Sequence, residues 1–318
     1  MNAALEAVGS LQDVVLRQTV PARELTTFGV GADVPHLLEI GSTAACAQVL
    51  KILQEHGASW RVLGAGSNVV LPDSDLSDVI IRLGRGLNGA ASSVGEALEP
   101  IEQVADKLAQ SRLPAMLYVA GGSGLMSLSR LLTARGLSGL EFAAGIPASV
   151  GGAVAMNAGA HGGSMADVLR EVHVVSALGE QVLNAKDLQL AYRACCLPEQ
   201  SVVVGAVLEL KRDSAEECLK RRRENLLYRK KTQPLHLPSA GSVFQNPSDD
   251  AAAGALLDRA GFKGRRKGGV EFSEMHANWL VRSGAEAKSS DVSDLVQSAI
   301  AAVREMCAAE LKPEIRMW

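Results

Sequence analysis

Aromatic side chains are scarce. Phe, Trp and Tyr make up 3% of the 318 residues, which argues against a surface built to stack nucleic-acid bases. Charge of one sign is missing too. Lys and Arg number 32 against 35 Asp and Glu, a formal net charge of −3. No global field therefore draws the chain to nucleic acid or to a membrane surface. The cysteines, Cys46, Cys195, Cys196, Cys218 and Cys307, are odd in number and form no CxxC. A disulfide scaffold is not expected, and a reduced, cytoplasmic setting is. The first residues carry Glu6 and Asp13 and no basic stretch, unlike a secretory signal. The six histidines show neither HxxxH nor HExxH spacing, so no catalytic metal is expected. A nucleophile elbow, GxSxG, fails at both candidate serines: Leu125 follows Ser123, and Pro147 precedes Ser149, where glycine is required.

What is present is apolar material and glycine. Hydrophobic residues make up 47%, too much for a disordered chain, and the length suits about two or three domains. Glycine numbers 31, so many tight turns or close backbone approaches are expected. Residues 142–166 carry no charged side chain and are long enough to span a bilayer. They also contain six glycines, Pro147 and Asn157, which would leave backbone groups unpaired in lipid. A glycine-rich loop system wrapped on a ligand is the better reading.

Segment 43–57 begins at a Ser/Thr cap, stops at Gly57 and places Val49, Leu50 and Leu53 on one face, which predicts an amphipathic helix. Short strands are expected at 60–63, 69–71 and 79–83, so residues 1–83 read as a small α/β unit. Residues 84–213 read as strands and glycine turns, with strands at 171–178 and 202–210 and a helix over 125–136 ending at Gly136. Ser214 with Glu217 three residues on predicts a capping box opening a basic helix over 214–231. A third domain, 214–318, would follow, with helices near 251–260 and 291–309 and a strand at 277–284.

Several motifs admit two readings. Gly64, Ala65, Gly66, Ser67 and Asn68 follow a strand, and their small side chains would let amides converge on a phosphate. Val69 stands where a dinucleotide-binding GxGxxG needs glycine, so the segment is either a pyrophosphate cradle or a plain tight turn. Gly121, Gly122, Ser123 and Gly124 precede the 125–136 helix and are either a phosphate site at its N-terminus or a connection. The basic helix, with Lys220, Arg221, Arg222, Arg223, Arg229, Lys230 and Lys231, is either a solvated face or a diphosphate site.

Six strings occur in one order: LGAGSNVVLPD (63–73), GLSGLEFAAGIPASVGGAVAMNAGAHGG (136–163), AYR (191–193), RKKTQPLHLPSAGSVFQNP (229–247), GGVEFSEMHANWLV (268–281) and PEIR (313–316). In that series the chain resembles the UDP-N-acetylenolpyruvoylglucosamine reductases, over nearly its whole length. The resemblance implies an α+β protein. Two α/β subdomains, 1–83 and 84–213, would form an FAD-binding fold of the vanillyl-alcohol-oxidase (PCMH) type, and 214–318 a C-terminal α/β substrate-binding domain. It implies non-covalent FAD, NADPH as co-substrate and a nucleotide-sugar substrate carrying an enolpyruvyl group, in peptidoglycan precursor synthesis. By resemblance the FAD contacts are Gly64, Ala65, Gly66, Ser67, Asn68, Gly122, Ser123, Gly145, Gly152, Asn157 and Gly159. The catalytic positions are Arg193, Ser242 and Glu314, and Tyr192, Lys230, Gln245 and Asn246 fall where the family contacts substrate.

Taken without the resemblance, Arg193 would read as a surface ion pair, Ser242 as a turn residue and Glu314 as a strand-end charge. The chemistry asked of them suits their types: a guanidinium to stabilise charge on a carboxylate, a hydroxyl to deliver a proton, and a carboxyl that either orients the intermediate or acts as acid. The chain departs from the family pattern at Ala148, Ala155, His161, Cys195 and Cys196. A related flavin oxidase of the same fold could instead tether its flavin covalently, and His161 would be the attachment point.

Overall fold

The computed structural model describes residues 1–74, 76–248 and 250–318. The Thr43–Glu55 helix begins where the sequence places its cap: the Ser42 hydroxyl accepts from the Ala45 amide at 3.2 Å. Ala45, Cys46, Val49, Leu50 and Leu53 form its buried face. They pack with Leu38, Ile40, Val79 and Ile81 of a four-stranded sheet ordered Val14–Val20, Val34–Ile40, Val79–Leu83, Trp60–Val62. The last three strands run parallel, with the Thr43–Glu55 helix as the crossover from Val34–Ile40 to Trp60–Val62.

A second, antiparallel sheet runs in the order Gly179–Asn184, Leu169–Ser176, Val202–Arg212, Ala115–Ala120, Ala90–Ala91. Its central strand, Val202–Arg212, is buried along residues 202–208, matching a near-continuous apolar run rather than alternation. The Ile101–Gln110 helix, which the reading of 84–213 as strands and turns omits, buries Ile101, Val104, Ala105 and Leu108 against this sheet. The uncharged 142–166 run folds as a short helix, Val150–Ala155, followed by a hairpin of Gly159–Ala160 with Gly163–Ser164. No helix among the described residues is long and apolar enough to cross a membrane.

These elements make one compact unit, Met1–Gln18, His36–Ala65 and Asp78–Leu227. The second unit comprises Thr19–Pro35, Gly66–Ser77 and Tyr228–Trp318. Its antiparallel sheet is ordered Ser239–Ser242, Trp279–Arg282, Val270–Phe272, Arg266–Lys267. The Ser289–Cys307 helix covers it with Val292, Leu295, Val296, Ala299 and Val303. Phe28, Val30 and Val70 belong to the same core. The C-terminal strand Arg316–Met317 pairs in parallel with Val69–Val70, so the chain's end is tied to a segment near its beginning.

Candidate active site

The 64–68 segment joins strand Trp60–Val62 to strand Val69–Val70. Among the described residues the amides of Gly64, Ala65, Gly66 and Ser67 donate to no acceptor, although the Gly66 carbonyl accepts from the Thr27 amide at 3.1 Å. A run of unspent N–H groups flanked by small side chains has the chemistry of an anion cradle. The glycines have separate reasons. A Cβ at Gly64 would lie 2.6 Å from the Ser149 hydroxyl. Gly66 has φ +66°, and a Cβ there would run into the Leu25 carbonyl and lie 2.7 Å from the Thr26 Cα.

The second glycine turn is different. The amide of Gly121 donates to Val204 at 2.7 Å, that of Gly122 to Leu87 at 3.0 Å and that of Ser123 to Ala120 at 3.0 Å. The Ser123 hydroxyl, fully buried, donates to the Gly89 carbonyl at 3.0 Å and accepts from the Gly89 amide at 2.9 Å. The polar groups that a phosphate would need at Gly122 and Ser123 are thus spent inside the fold. Glycine at 122 serves close packing, since a Cβ would meet the Leu87 carbonyl at 2.6 Å.

Within the uncharged run, Gly145 has φ +80° and is half-buried, and Pro147 is exposed. Ser149 caps the Val150–Ala155 helix by accepting from the Gly152 amide at 3.2 Å. Gly159 packs against the returning hairpin strand, with a Cβ position 2.6 Å from the Gly163 carbonyl. Asn157 is buried, and its side-chain amide is committed to Ala191 and Ala166.

Tyr192 and Arg193 occupy the tip of a tight turn closed by Ala191 and Ala194. Tyr192 is exposed, Arg193 is half-buried with φ +55°, and the guanidinium carbon lies 5.1 Å from the Tyr192 ring centroid. Just beyond the turn, burial pushes the Cys195 thiol up to about 11, with Cys196 adding to the effect. That leaves Cys195 a thiol, not a nucleophile, at neutral pH.

The second unit brings Ser242 and Glu314 onto neighbouring chain segments. The Val243 carbonyl, directly after Ser242, accepts from the Glu314 amide at 2.7 Å, and the Gln245 amide donates to Lys312 at 3.0 Å. Asn68 joins the same place: its Nδ2 donates to the Glu314 carbonyl at 3.0 Å, and its own carbonyl accepts from the Arg316 amide at 2.9 Å. Ser242 and Glu314 are both half-buried. The Asn246 oxygen accepts from the Ala253 amide at 3.0 Å, at the head of the Ala253–Arg259 helix. Arg193 belongs to the other unit.

One residue of this neighbourhood carries no signal of its own in the sequence. Asn278 is buried, and its side chain accepts from the Phe244 amide at 2.9 Å and donates to the Phe244 carbonyl at 2.8 Å. Its backbone carbonyl accepts from the Val243 amide at 2.9 Å. This one asparagine thus makes three hydrogen bonds to residues 243 and 244, directly after Ser242. Only its place in the HANWLV string marks it.

The basic helix, Ala215–Thr232, divides its charges. Ser214 caps it through the Glu217 amide at 3.1 Å, while Asp213 accepts from the Ser214 amide at 2.7 Å. Arg221 is an internal tie, 2.8 Å from both Glu141 and Asp213. Burial alone would raise the Glu141 pKa; the hydrogen bonds from Arg221, Gly139 and Ser138 outweigh it and hold the carboxyl below its ordinary value. Arg229 is buried against Gln233 at 2.8 Å, and burial lowers its pKa to about 10. Arg223 and Lys230 are exposed. Arg222 has a buried Nε without a hydrogen-bond partner among the described residues, and burial, then the like charge of Arg130, lowers its pKa.

Comparisons with known proteins place the chain in a family. A family model described as an FAD binding domain matches residues 35–183, and one described as the C-terminal domain of UDP-N-acetylenolpyruvoylglucosamine reductase matches 233–318. The reductase of that name from Heliobacterium modesticaldum is 37% identical over 302 residues, covering 94% of this chain and 90% of that one. The Bacillus subtilis reductase is 36% identical over 300 residues, covering 93% and 92%. The crystal structure of the reductase from Thermus caldophilus superposes with a TM-score of 0.75 at 32% identity, over 96% of this chain and 98% of that one. A match that spans both the flavin-binding and the C-terminal regions in one polypeptide leaves a single conclusion: the chain belongs to the UDP-N-acetylenolpyruvoylglucosamine reductase family.

Proposed function

We propose that the chain reduces the enolpyruvyl group of UDP-N-acetylglucosamine enolpyruvate to the lactyl ether of UDP-N-acetylmuramate, in the cytoplasm, with NADPH as electron source and non-covalent FAD. The observation that carries this reading is the 37% identity spanning 94% of the chain to a reductase of that name. When bound, FAD supplies two-electron transfer between NADPH and the enolpyruvyl double bond. The unspent amides of residues 64–67 are the groups that fit its pyrophosphate.

The chain's own residues then have distinct tasks. As hydride reaches the terminal carbon, negative charge grows on the substrate carboxylate. Arg193 presents a planar fork of N–H donors, so it stabilises that charge. Ser242 delivers a proton to the adjacent carbon. The overall balance is one hydride from NADPH and one proton from the protein, saturating one carbon–carbon double bond. Glu314, one backbone hydrogen bond from the residue after Ser242, orients the substrate carboxylate or renews the serine's proton. Tyr192, Gln245 and Lys230 remain available for the sugar and diphosphate. For the diphosphate we single out Arg222, whose buried Nε has no hydrogen-bond partner among the described residues.

The test is substrate-dependent NADPH oxidation by the purified protein, with the product identified by mass as the substrate plus two hydrogens. Acid denaturation should release the yellow chromophore from the chain. Absence of turnover in a protein that retains FAD would defeat the reading, and colour that stays with the chain would point to a covalent flavin at His161.

A further inference from the structure

Asn157 is 6% exposed and follows the Val150–Ala155 helix with φ +39°, a backbone state that asparagine tolerates better than most residues. Its side chain is a two-way clamp inside one unit. Nδ2 donates to the Ala191 carbonyl at 2.8 Å, and Oδ1 accepts from the Ala166 amide at 3.0 Å. Ala191 is the hinge point of the turn that presents Arg193: Ala191 and Ala194 exchange both of their backbone hydrogen bonds, at 3.1 Å each. The Ala191 carbonyl therefore uses one lone pair to close the turn and the other to hold Asn157. Ala191, Tyr192 and Ala194 are exposed, and Arg193 sits at φ +55°, a strained backbone state for a non-glycine residue.

We propose that Asn157 is the positioning residue for Arg193, anchoring the 191–194 turn to the buried end of the Val150–Ala155 helix, and that it does not bind the cofactor through its side chain. The proposal rests on the reading of Arg193 as the group that faces the substrate carboxylate. Asparagine is required because the site needs a donor toward Ala191 and an acceptor toward Ala166 from one short, planar group. Aspartate keeps the acceptor and turns an oxygen toward the Ala191 carbonyl. Glycine keeps the backbone state and deletes the clamp.

Asn157→Gly and Asn157→Asp are compared with the parent as FAD-loaded enzymes. Hydrogen–deuterium exchange over residues 188–196 should quicken in both variants, while the central strand Val202–Arg212 keeps its protection. FAD content and affinity should be unchanged, as should the rate of the NADPH half-reaction. The enolpyruvyl half-reaction should slow by about 10–100-fold, because a displacement near 1 Å costs about that much, with kcat falling more than KM rises. In an Arg193→Ala background the Asn157 changes should cost nothing further. Unchanged exchange at 188–196, loss of FAD in step with activity, or a full additional loss on top of Arg193→Ala each overturns the positioning role. If Arg193→Ala alone leaves the enolpyruvyl half-reaction intact, the reading of Arg193 fails, while the exchange data still decide whether Asn157 anchors the turn. Should Asn157→Gly fail to fold, Asn157→Asp, which retains the Ala166 bond, gives the same readouts.

Discussion

Asn278→Ala removes two buried hydrogen bonds at once. The Phe244 amide loses its acceptor at 2.9 Å, and the Phe244 carbonyl its donor at 2.8 Å. Phe244 is 1% exposed and Asn278 4%, so water cannot replace either partner without opening the strand. A buried backbone group left unsatisfied costs about 1–3 kcal/mol, so two of them cost about 2–6 kcal/mol. The small void left by the truncated amide adds to this. The bond from the Val243 amide to the Asn278 carbonyl is backbone and survives. Urea unfolding followed by the fluorescence of the three tryptophans, Trp60, Trp279 and Trp318, in the FAD-free protein, should show a lower midpoint with an unchanged slope. Activity should fall further than stability explains, since Ser242 is two residues from the released amide. Asn278→Asp retains the acceptor but turns a buried carboxylate oxygen toward the Phe244 carbonyl, so it should be no milder than Asn278→Ala. A loss under about 0.5 kcal/mol in Asn278→Ala would mean that the strand carries its own geometry, and the account of how Ser242 is held would be wrong.

Four further outcomes follow from the same structure. Ser242→Ala should leave the NADPH half-reaction near normal and slow the enolpyruvyl half-reaction about 10²–10⁴-fold by stopped-flow absorbance; equal slowing of both halves would make Ser242 a structural residue. Glu141→Gln should destabilise by about 1–2 kcal/mol at pH 7, discounted because Arg221 is 39% exposed. Its folded pKa is depressed, so the carboxylate's contribution is complete above the unfolded value and is lost as pH falls through the folded one. The gap between the two proteins should therefore close below about pH 4 in chemical unfolding, and a gap independent of pH would refute the ion pair's role. Gly66→Val should weaken the FAD-free protein itself, because the new side chain strikes the backbone at Leu25 and Thr26; normal apo stability with loss of FAD alone would restore a purely cofactor-directed role. Arg222→Ala should raise KM for the nucleotide sugar more than it lowers kcat, and an unchanged KM would return that side chain to the solvated face.

The sequence by itself determined the elements whose signals are local. The Ser42 cap and the spacing of Val49, Leu50 and Leu53 mark the Thr43–Glu55 helix, and the apolar run at 202–208 marks a buried central strand. The Ile101–Gln110 helix carries the same kind of signal, with Ile101, Val104, Ala105 and Leu108 at helical spacing. Family membership was legible as well, because six strings in a fixed order survive as text. The tertiary structure decided which polar atoms remain free. Gly64 and Gly122 look alike in sequence, yet the amide of Gly122 is bonded to Leu87 whereas that of Gly64 has no acceptor among the described residues. Asn157 and Asn246 look like ligand groups in the sequence, and only the fold shows their side chains bonded to Ala191 and Ala253. Asn68 meets Glu314 across 246 residues of chain, and Asn278 meets Phe244 across 34. Helical and strand periodicity is set by neighbours within a turn or two of the backbone, so it can be read along the chain. A hydrogen-bond partner is set by the path the chain takes between distant segments, and that path exists only once both cores have packed.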